Sequence, residues 1–239
     1  MSFTEPSTNG QRVLVVDDEP SIRKTLRAYL EAEGYMVRLL ADGSEVLPAV
    51  HTFQPAVIIL DIMLPGLDGI EILRRIRQES SVLVLLLSAR SEETDRLLGL
   101  RMGADDYVVK PFSPREVTAR VAALVRRNRS DGSNDVQQPL RFSRLVIDSS
   151  ARQVWKDEHL IGLTPIEFDL LYALAHNTGR VLSRDQLIAQ AWGNDYYIEE
   201  RVVDVHIRRL RRKIEDLPAN PTIIVTVRSA GYRFMAECA

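Results

Sequence analysis

Asp17 and Asp18 follow an apolar run at 13–16, Asp61 follows one at 56–60, Ser88 one at 82–87, and Lys110 one at 107–109. If these runs are strands of one open α/β sheet, their carboxyl ends share a crevice, and residues far apart in the chain meet there. Carboxylates gathered in one crevice repel each other, and a divalent cation relieves the repulsion. An oxygen-only ligand set without His or Cys favours Mg²⁺, which takes one or two carboxylates and keeps several waters. A metal beside an acceptor carboxylate, faced by a cation and a hydroxyl donor, provides the charge neutralisation and positioning that phosphoryl transfer needs, with an Asp as nucleophile. Taken singly, each acid reads as a loop residue or helix cap; it is their joint placement that points to chemistry.

A second pattern lies in residues 201–213, where Arg201, Arg208, Arg209, Arg211, Arg212 and Lys213 stand against one acid, Asp204. Val202, Val203, Ile207, Leu210 and Ile214 recur at three-to-four spacing and mark the buried face of a helix, leaving the rest of its surface cationic. Guanidinium groups suit both phosphate and the major-groove edge of guanine, whereas an ordinary solvated helix mixes signs. The pattern predicts a nucleic-acid-binding helix.

The elements that must position these residues follow from periodicity. Apolar runs at 13–16, 36–40, 56–60, 82–87 and 107–109 alternate with helical patterns such as 20–33, 44–51, 69–78 and 91–102, which predicts a doubly wound α/β domain with five parallel strands. Gly34 and Gly103 are placed as helix terminators, Asp68 as a cap, and Pro48 predicts a local distortion of its helix. Residues 128–139, NRSDGSNDVQQP, carry no apolar period and read as a flexible linker spanning on the order of 20 Å. Beyond it, short strands at 141–148, 153–156 and 159–163, helices at 165–175, 184–191 and 202–215, and a hairpin formed by 223–227 and 232–235 predict an α+β winged helix-turn-helix. The domains are therefore 11–127, the linker 128–139, and 140–239.

At 239 residues the chain suits two domains with separate cores, and 45% hydrophobic with 27% charged residues excludes disordered and fibrous classes. The lone cysteine, Cys238, rules out an internal disulfide or thiolate cluster and fits a reducing compartment. No apolar run approaches a membrane span, and residues 1–11 lack the marks of a signal peptide, so a cytoplasmic location without membrane contact is expected. Net charge is −2, with 16 basic and 18 acidic residues through Arg127 and 15 of each after it. Bulk charge thus says nothing about nucleic acid, and only its local placement does.

The segments VLVVDDEPSIR, IILDIMLPGLDG, LLLSAR and GADDYVVKPFSPRE resemble the receiver domain of two-component response regulators across nearly all of 12–127. LTPIEFDLLYALAHNTGRVLSRDQLIAQAWG, RVVDVHIRRLRRKIE and IIVTVRSAGYRF resemble the effector domain of the OmpR/PhoB family. The resemblance implies a sheet of order 2-1-3-4-5 and a DNA-binding transcriptional regulator controlled by phosphorylation. It implies that Asp61 accepts a phosphoryl group from the phosphohistidine of a sensor histidine kinase. Asp18, Asp61 and the Met63 carbonyl would hold Mg²⁺, with Asp17 acting through water. Lys110 and Ser88 would contact the phosphoryl oxygens, Tyr107 would turn inward as Ser88 moves, and the Lys110–Pro111 peptide would be cis.

The same likeness implies a homodimer when phosphorylated. Its face would be built from Arg96, Leu97, Leu100, Asp105, Asp106, Glu116, Ala119, Arg120 and Arg127, with Arg96 paired to Glu116, Asp106 to Arg120 and Asp105 to Arg127 across a two-fold axis. Arg96 stands where the family usually has Lys and keeps the charge. On promoter DNA, Arg209 and Arg211 would read base edges, Val205 would meet a thymine methyl, Arg201, His206 and Arg208 would grip phosphates, and Arg228 would enter the minor groove. Ser229 stands where the family commonly has Gly. RNA polymerase is an expected partner, and the chain is not expected to be an enzyme beyond Mg²⁺-dependent self-phosphorylation and dephosphorylation. Two other readings fit less well. A haloacid-dehalogenase-type phosphatase wants a second Asp where Met63 stands, and a flavodoxin-like cofactor binder wants a phosphate-cradling loop where DDEP would repel phosphate.

Overall fold

The computed structural model describes residues 10–88, 99, 102–127, 138–193 and 199–236. The chain divides into two compact units, 1–125 and 126–239.

In the first unit, β1 (Arg12–Val16), β2 (Met36–Leu40), β3 (Val57–Asp61), β4 (Leu83–Ser88) and β5 (Asp106–Val109) form one sheet in the order β2-β1-β3-β4-β5. Every pairing in it is parallel. Central strands covered on both faces must be apolar throughout, which is why β1, β3 and β4 read as continuous runs rather than alternations. Val13 to Val16, Val57 to Leu60 and Leu83 to Leu87 are all buried. β3 and β4 each run one residue past the apolar stretch, so Asp61 and Ser88 are the last residues of their strands, paired in register with Leu87 and Val109. A residue held in a sheet ladder is fixed more tightly than one in the loop beyond it.

Helix α1 (Pro20–Ala32) begins with Pro in its first turn and stops before Gly34, which takes φ +85°. Helix α2 (Val46–Phe53) starts later than residue 44, after a 3₁₀ turn at Gly43–Glu45. Pro48 thereby falls in the first turn, where its missing N–H costs no hydrogen bond, and this is the form the expected distortion takes. Helix α3 (Gly69–Glu79) is capped by Asp68, whose carboxylate accepts from the Ile70 N–H at 3.0 Å. Helix α4 (Pro114–Arg127) follows β5. The helix expected at 91–102 falls almost wholly outside the described residues.

The second unit opens with a four-stranded antiparallel sheet, β6 (Leu140–Arg141), β7 (Leu145–Asp148), β8 (Gln153–Lys156) and β9 (His159–Leu160). Helices α5 (Pro165–His176), α6 (Arg184–Trp192) and α7 (Arg201–Ile214) follow. Thr164 with Glu167 and Ser183 with Gln186 form reciprocal capping boxes that fix the starts of α5 and α6. The closing hairpin, β11 (Ile224–Val227) and β12 (Gly231–Phe234), gains a third strand from β10 (Val181–Leu182), giving the order β10-β12-β11. Gly231 is required where β12 passes β10, because a Cβ there would lie 2.0 Å from the Leu182 carbonyl oxygen. Leu170, Leu171, Leu187, Trp192, Leu210 and Phe234 fill the core, with Phe234 edge-on to Phe142 at 4.8 Å.

Candidate functional site

At the carboxyl edge of the parallel sheet, Asp17 and Asp61 are buried, at 0% and 2% exposure, while Asp18 is exposed. Lys110 Nζ donates to Asp17 Oδ2 at 2.8 Å and to Asp61 Oδ2 at 2.6 Å. The other oxygens are placed by the backbone: the Glu19 N–H donates to Asp17 Oδ1 at 2.8 Å and the Met63 N–H to Asp61 Oδ1 at 3.0 Å. One carboxylate oxygen from each of Asp17, Asp18 and Asp61 lies within 4.8 Å of the others. Burial pushes the Asp17 carboxyl up, against the lowering effect of Lys110. The same burial pulls the Lys110 ammonium down, but its bonds to Asp17 and Asp61 carry it above its ordinary value.

The Lys110–Pro111 peptide is cis, as expected. Ser88 is buried at the end of β4, where its carbonyl accepts from the Lys110 N–H at 2.7 Å, and Tyr107 is half-buried on β5. Gly69 allows the first turn of α3 to press on the acceptor strand, since a Cβ there would lie 2.2 Å from the Asp61 carbonyl oxygen. All the pocket residues read from sequence therefore gather at one edge. The oxygen-only donor set, with its one ammonium, fits a hard divalent cation.

On the expected dimer face the outcome is divided. Glu116 and Ala119 are exposed on α4, one turn apart. Arg120 pairs within its own chain, with Asp106 at 2.9 Å and Glu116 at 3.0 Å. Asp105 does not lie on that face: it is fully buried, accepts from the Val84 N–H at 2.8 Å and pairs with Arg77 at 2.7 Å. Arg77 also donates to the carbonyls of Gly103 and Val82, so it fastens α3 to the starts of β4 and β5. Nothing in the local sequence links positions 77 and 105, and this role was not foreseen. Arg96, Leu97 and Leu100 lie outside the described residues, as does the Arg127 side chain.

In the second unit the cationic helix is α7, and its surface differs from the expected one. Val205 is 7% exposed, and His206 is fully buried with its ring 5.4 Å from that of Trp192, so neither presents itself to a duplex. Arg209 is drawn to buried Glu167 at 2.9 Å. Arg211 donates to the Ile224 carbonyl and to Thr226 Oγ1, and burial pushes its guanidinium pKa down. These two arginines brace the fold, a role that their expected assignment as base readers did not include. Arg201, Arg208 and Arg212 are the exposed cations of α7, and Arg228 is exposed in the hairpin turn. Arg212 was passed over as part of the basic run, although positions 201, 208 and 212 fall within about 40° of one another on a 3.6-residue helix, a spacing that marks the solvent face.

An acid–lysine pocket at the strand ends of a five-stranded parallel sheet, followed by a winged helix with arginines on its outer face, defines a receiver joined to a DNA-binding effector. Residues 13–122 match the response regulator receiver domain, and residues 157–234 match the C-terminal domain of transcriptional regulatory proteins. The chain is 43% identical over 226 residues to the DNA-binding response regulator MtrA of Mycolicibacterium smegmatis, covering 95% of this chain and 97% of that one. It is 45% identical over 229 residues to the probable transcriptional regulator ycf27 of Guillardia theta, covering 94% and 90%. The crystal structure of DrrB, a Thermotoga maritima OmpR/PhoB homolog, is similar with a TM-score of 0.50 at 34% identity, covering 94% of this chain and 99% of that one. The chain belongs to the OmpR/PhoB family of DNA-binding response regulators. No described helix is long and apolar enough to cross a membrane.

Proposed function

We propose that Asp61 is the phosphoacceptor of a cytoplasmic transcriptional switch. The nitrogen–phosphorus bond of a sensor kinase phosphohistidine breaks as a bond forms from a carboxylate oxygen of Asp61 to phosphorus, and the histidine nitrogen keeps the electron pair. Asp18, Asp61 and the Met63 carbonyl would hold Mg²⁺, with Asp17 acting through water, and the ion would supply charge neutralisation at the transferring group. Lys110 then exchanges its bond to the Asp61 carboxylate for one to a phosphoryl oxygen, and Ser88 contacts another. Tyr107, half-buried on β5, follows Ser88. The chain turns over no other substrate: its chemistry is its own phosphorylation and dephosphorylation. The observation that carries this reading is the buried Asp61 carboxylate held between Lys110 and a backbone N–H.

Phosphorylation promotes a receiver dimer through Glu116, Ala119 and Arg120, together with Arg96, Leu97 and Leu100. Two effector domains are thereby brought to adjacent promoter half-sites, where RNA polymerase is the downstream partner. Arg201, Arg208 and Arg212 meet the major-groove side of each half-site, and Arg228 meets the minor groove. Acetyl phosphate with Mg²⁺ is expected to add one phosphoryl group to the wild-type chain and none to Asp61→Asn, read by intact-protein mass and by gel retardation on phosphate-binding acrylamide. Equal labelling of both would place the acceptor elsewhere.

A further inference from the structure

Asp204 is the single acid on a helix whose exposed face is cationic, a placement that weakens attraction to a polyanion unless the acid does something else. The structure shows its engagement. Tyr232 on β12, 4% exposed, donates its hydroxyl to Asp204 Oδ1 at 2.6 Å. The first residue of α6, Arg184, donates to the same oxygen at 2.7 Å. The Tyr232 ring has two guanidinium groups near it, that of Arg184 at 5.3 Å and that of Arg211 at 5.5 Å. Arg211 in turn holds the Ile224 carbonyl and Thr226 on β11. The start of α6, the first turn of α7 and both strands of the hairpin are thus tied at one polar node. Val227 pairs with Gly231, so residues 228–230 form the turn and Arg228 is carried at the end of the hairpin.

We propose that Asp204, Arg184 and Tyr232 form a strut that fixes the wing against α7, making Tyr232 a positioning residue for the minor-groove contact of Arg228. The proposal rests on the reading of Arg228 given above. Tyr232 cannot itself touch a duplex in this arrangement, being buried with its hydroxyl committed, so it acts through Arg228. The strut matters to specificity because α7 and Arg228 must reach two different grooves at once. A wing free to tilt still meets phosphates but loses its preference for a narrow A·T minor groove.

The test uses the full chain and a duplex of about 40 base pairs (four helical turns at roughly 10 base pairs each) recovered by selection with the wild-type protein. A second duplex is identical except that the base pairs of its A·T tract are replaced by G·C. The readout is the ratio of the two dissociation constants. Arg228→Ala should collapse that ratio. Tyr232→Phe, which keeps the ring and removes only the hydroxyl, should lower it about five-fold, the effect of losing one charge-assisted hydrogen bond's worth of ordering. The double variant should be no worse than Arg228→Ala. Asp204→Asn retains an acceptor oxygen but removes the charge that both donors meet, and should lower the ratio by less than Tyr232→Phe does, even if the lost charge tightens binding to both duplexes.

A Tyr232→Phe protein that keeps the ratio while Arg228→Ala loses it overturns the strut alone. Two effects that multiply in the double variant do the same. An unchanged ratio in Arg228→Ala overturns the wing reading and the strut with it.

Discussion

Lys110 stands between Asp17 and Asp61, and its ammonium is the cation that keeps two buried carboxylates tolerable without a metal. Removing one partner of such a cluster leaves uncompensated charge in a poorly solvated site. Lys110→Ala should therefore lower the stability of the receiver by about 3 kcal/mol, read by calorimetry of the full chain in the presence of a chelator. Millimolar Mg²⁺ should restore part of the loss, because a cation that binds only the folded pocket stabilises it by mass action. Stability unaffected by the substitution, or a loss that Mg²⁺ leaves untouched, would argue against a cation site formed by these carboxylates. This pocket was readable from sequence because each member ends an apolar run, and parallel strands deliver their ends to one edge. The burial of Asp105 was not readable because it depends on Arg77, which stands on α3 with no pattern to couple it to the bend before β5. Asp105 and Asp106 are both fully buried, one held by Arg77 and the other by Arg120, and adjacent acids in a string of letters show neither their burial nor their separate partners.

Helix α7 shows how far periodicity carries. The 3.6-residue pattern located the centre of its buried stripe, and Val202, Val203, Ile207, Leu210 and Ile214 are all buried. The flanks of the stripe were settled by partners elsewhere: buried Glu167 captures Arg209 and Lys213, and the open carbonyl of Ile224 captures Arg211. The two-residue strand β10 escaped for a simpler reason, being too short to show any period. Two groups of arginines should accordingly separate by assay. Arg208→Ala and Arg212→Ala should each reduce the salt dependence of DNA binding by about one unit of slope and leave stability within about 0.5 kcal/mol. Arg209→Ala should instead cost about 2 kcal/mol, by leaving a buried carboxylate under-bonded.

Both tryptophans, Trp155 and Trp192, belong to the second unit, so their fluorescence reports its unfolding alone. The reverse pattern, in which Arg209→Ala flattens the salt slope of a fully stable protein, would return that residue to the DNA surface. The same fluorescence reads the small ion-pair cluster on the antiparallel sheet, where Arg144 and Lys156 hold the Asp216 carboxyl down at about 2. With an ordinary value of about 4 in the unfolded chain, this carboxylate contributes stability above that pH and loses it as pH falls toward 2. Asp216→Asn should flatten the acid limb of the unfolding profile, and high salt should mimic it because the cluster is exposed. An acid limb identical in the variant would assign the titration to other carboxylates.

The two units fold around separate cores, and the segment at 128–139 that joins them is polar and without apolar period. If phosphorylation acts by pairing receivers, it need not pass a structural signal through that segment; it need only hold two effectors near one another. A twelve-residue coil in general spans on the order of 20 Å, and two tethers of that reach leaving a receiver dimer would serve half-sites about 36 Å apart. The gain from phosphorylation is then an effective concentration, which falls roughly as the −3/2 power of tether length. Inserting twelve Gly/Ser residues doubles the tether and should reduce the phosphorylation-dependent gain on a two-half-site duplex by about three-fold. Affinity for a single half-site should not change. Abolition of the gain would mean that the effectors must be held in one fixed orientation, and a gain indifferent to length would mean that receivers and effectors are coupled by something other than the tether.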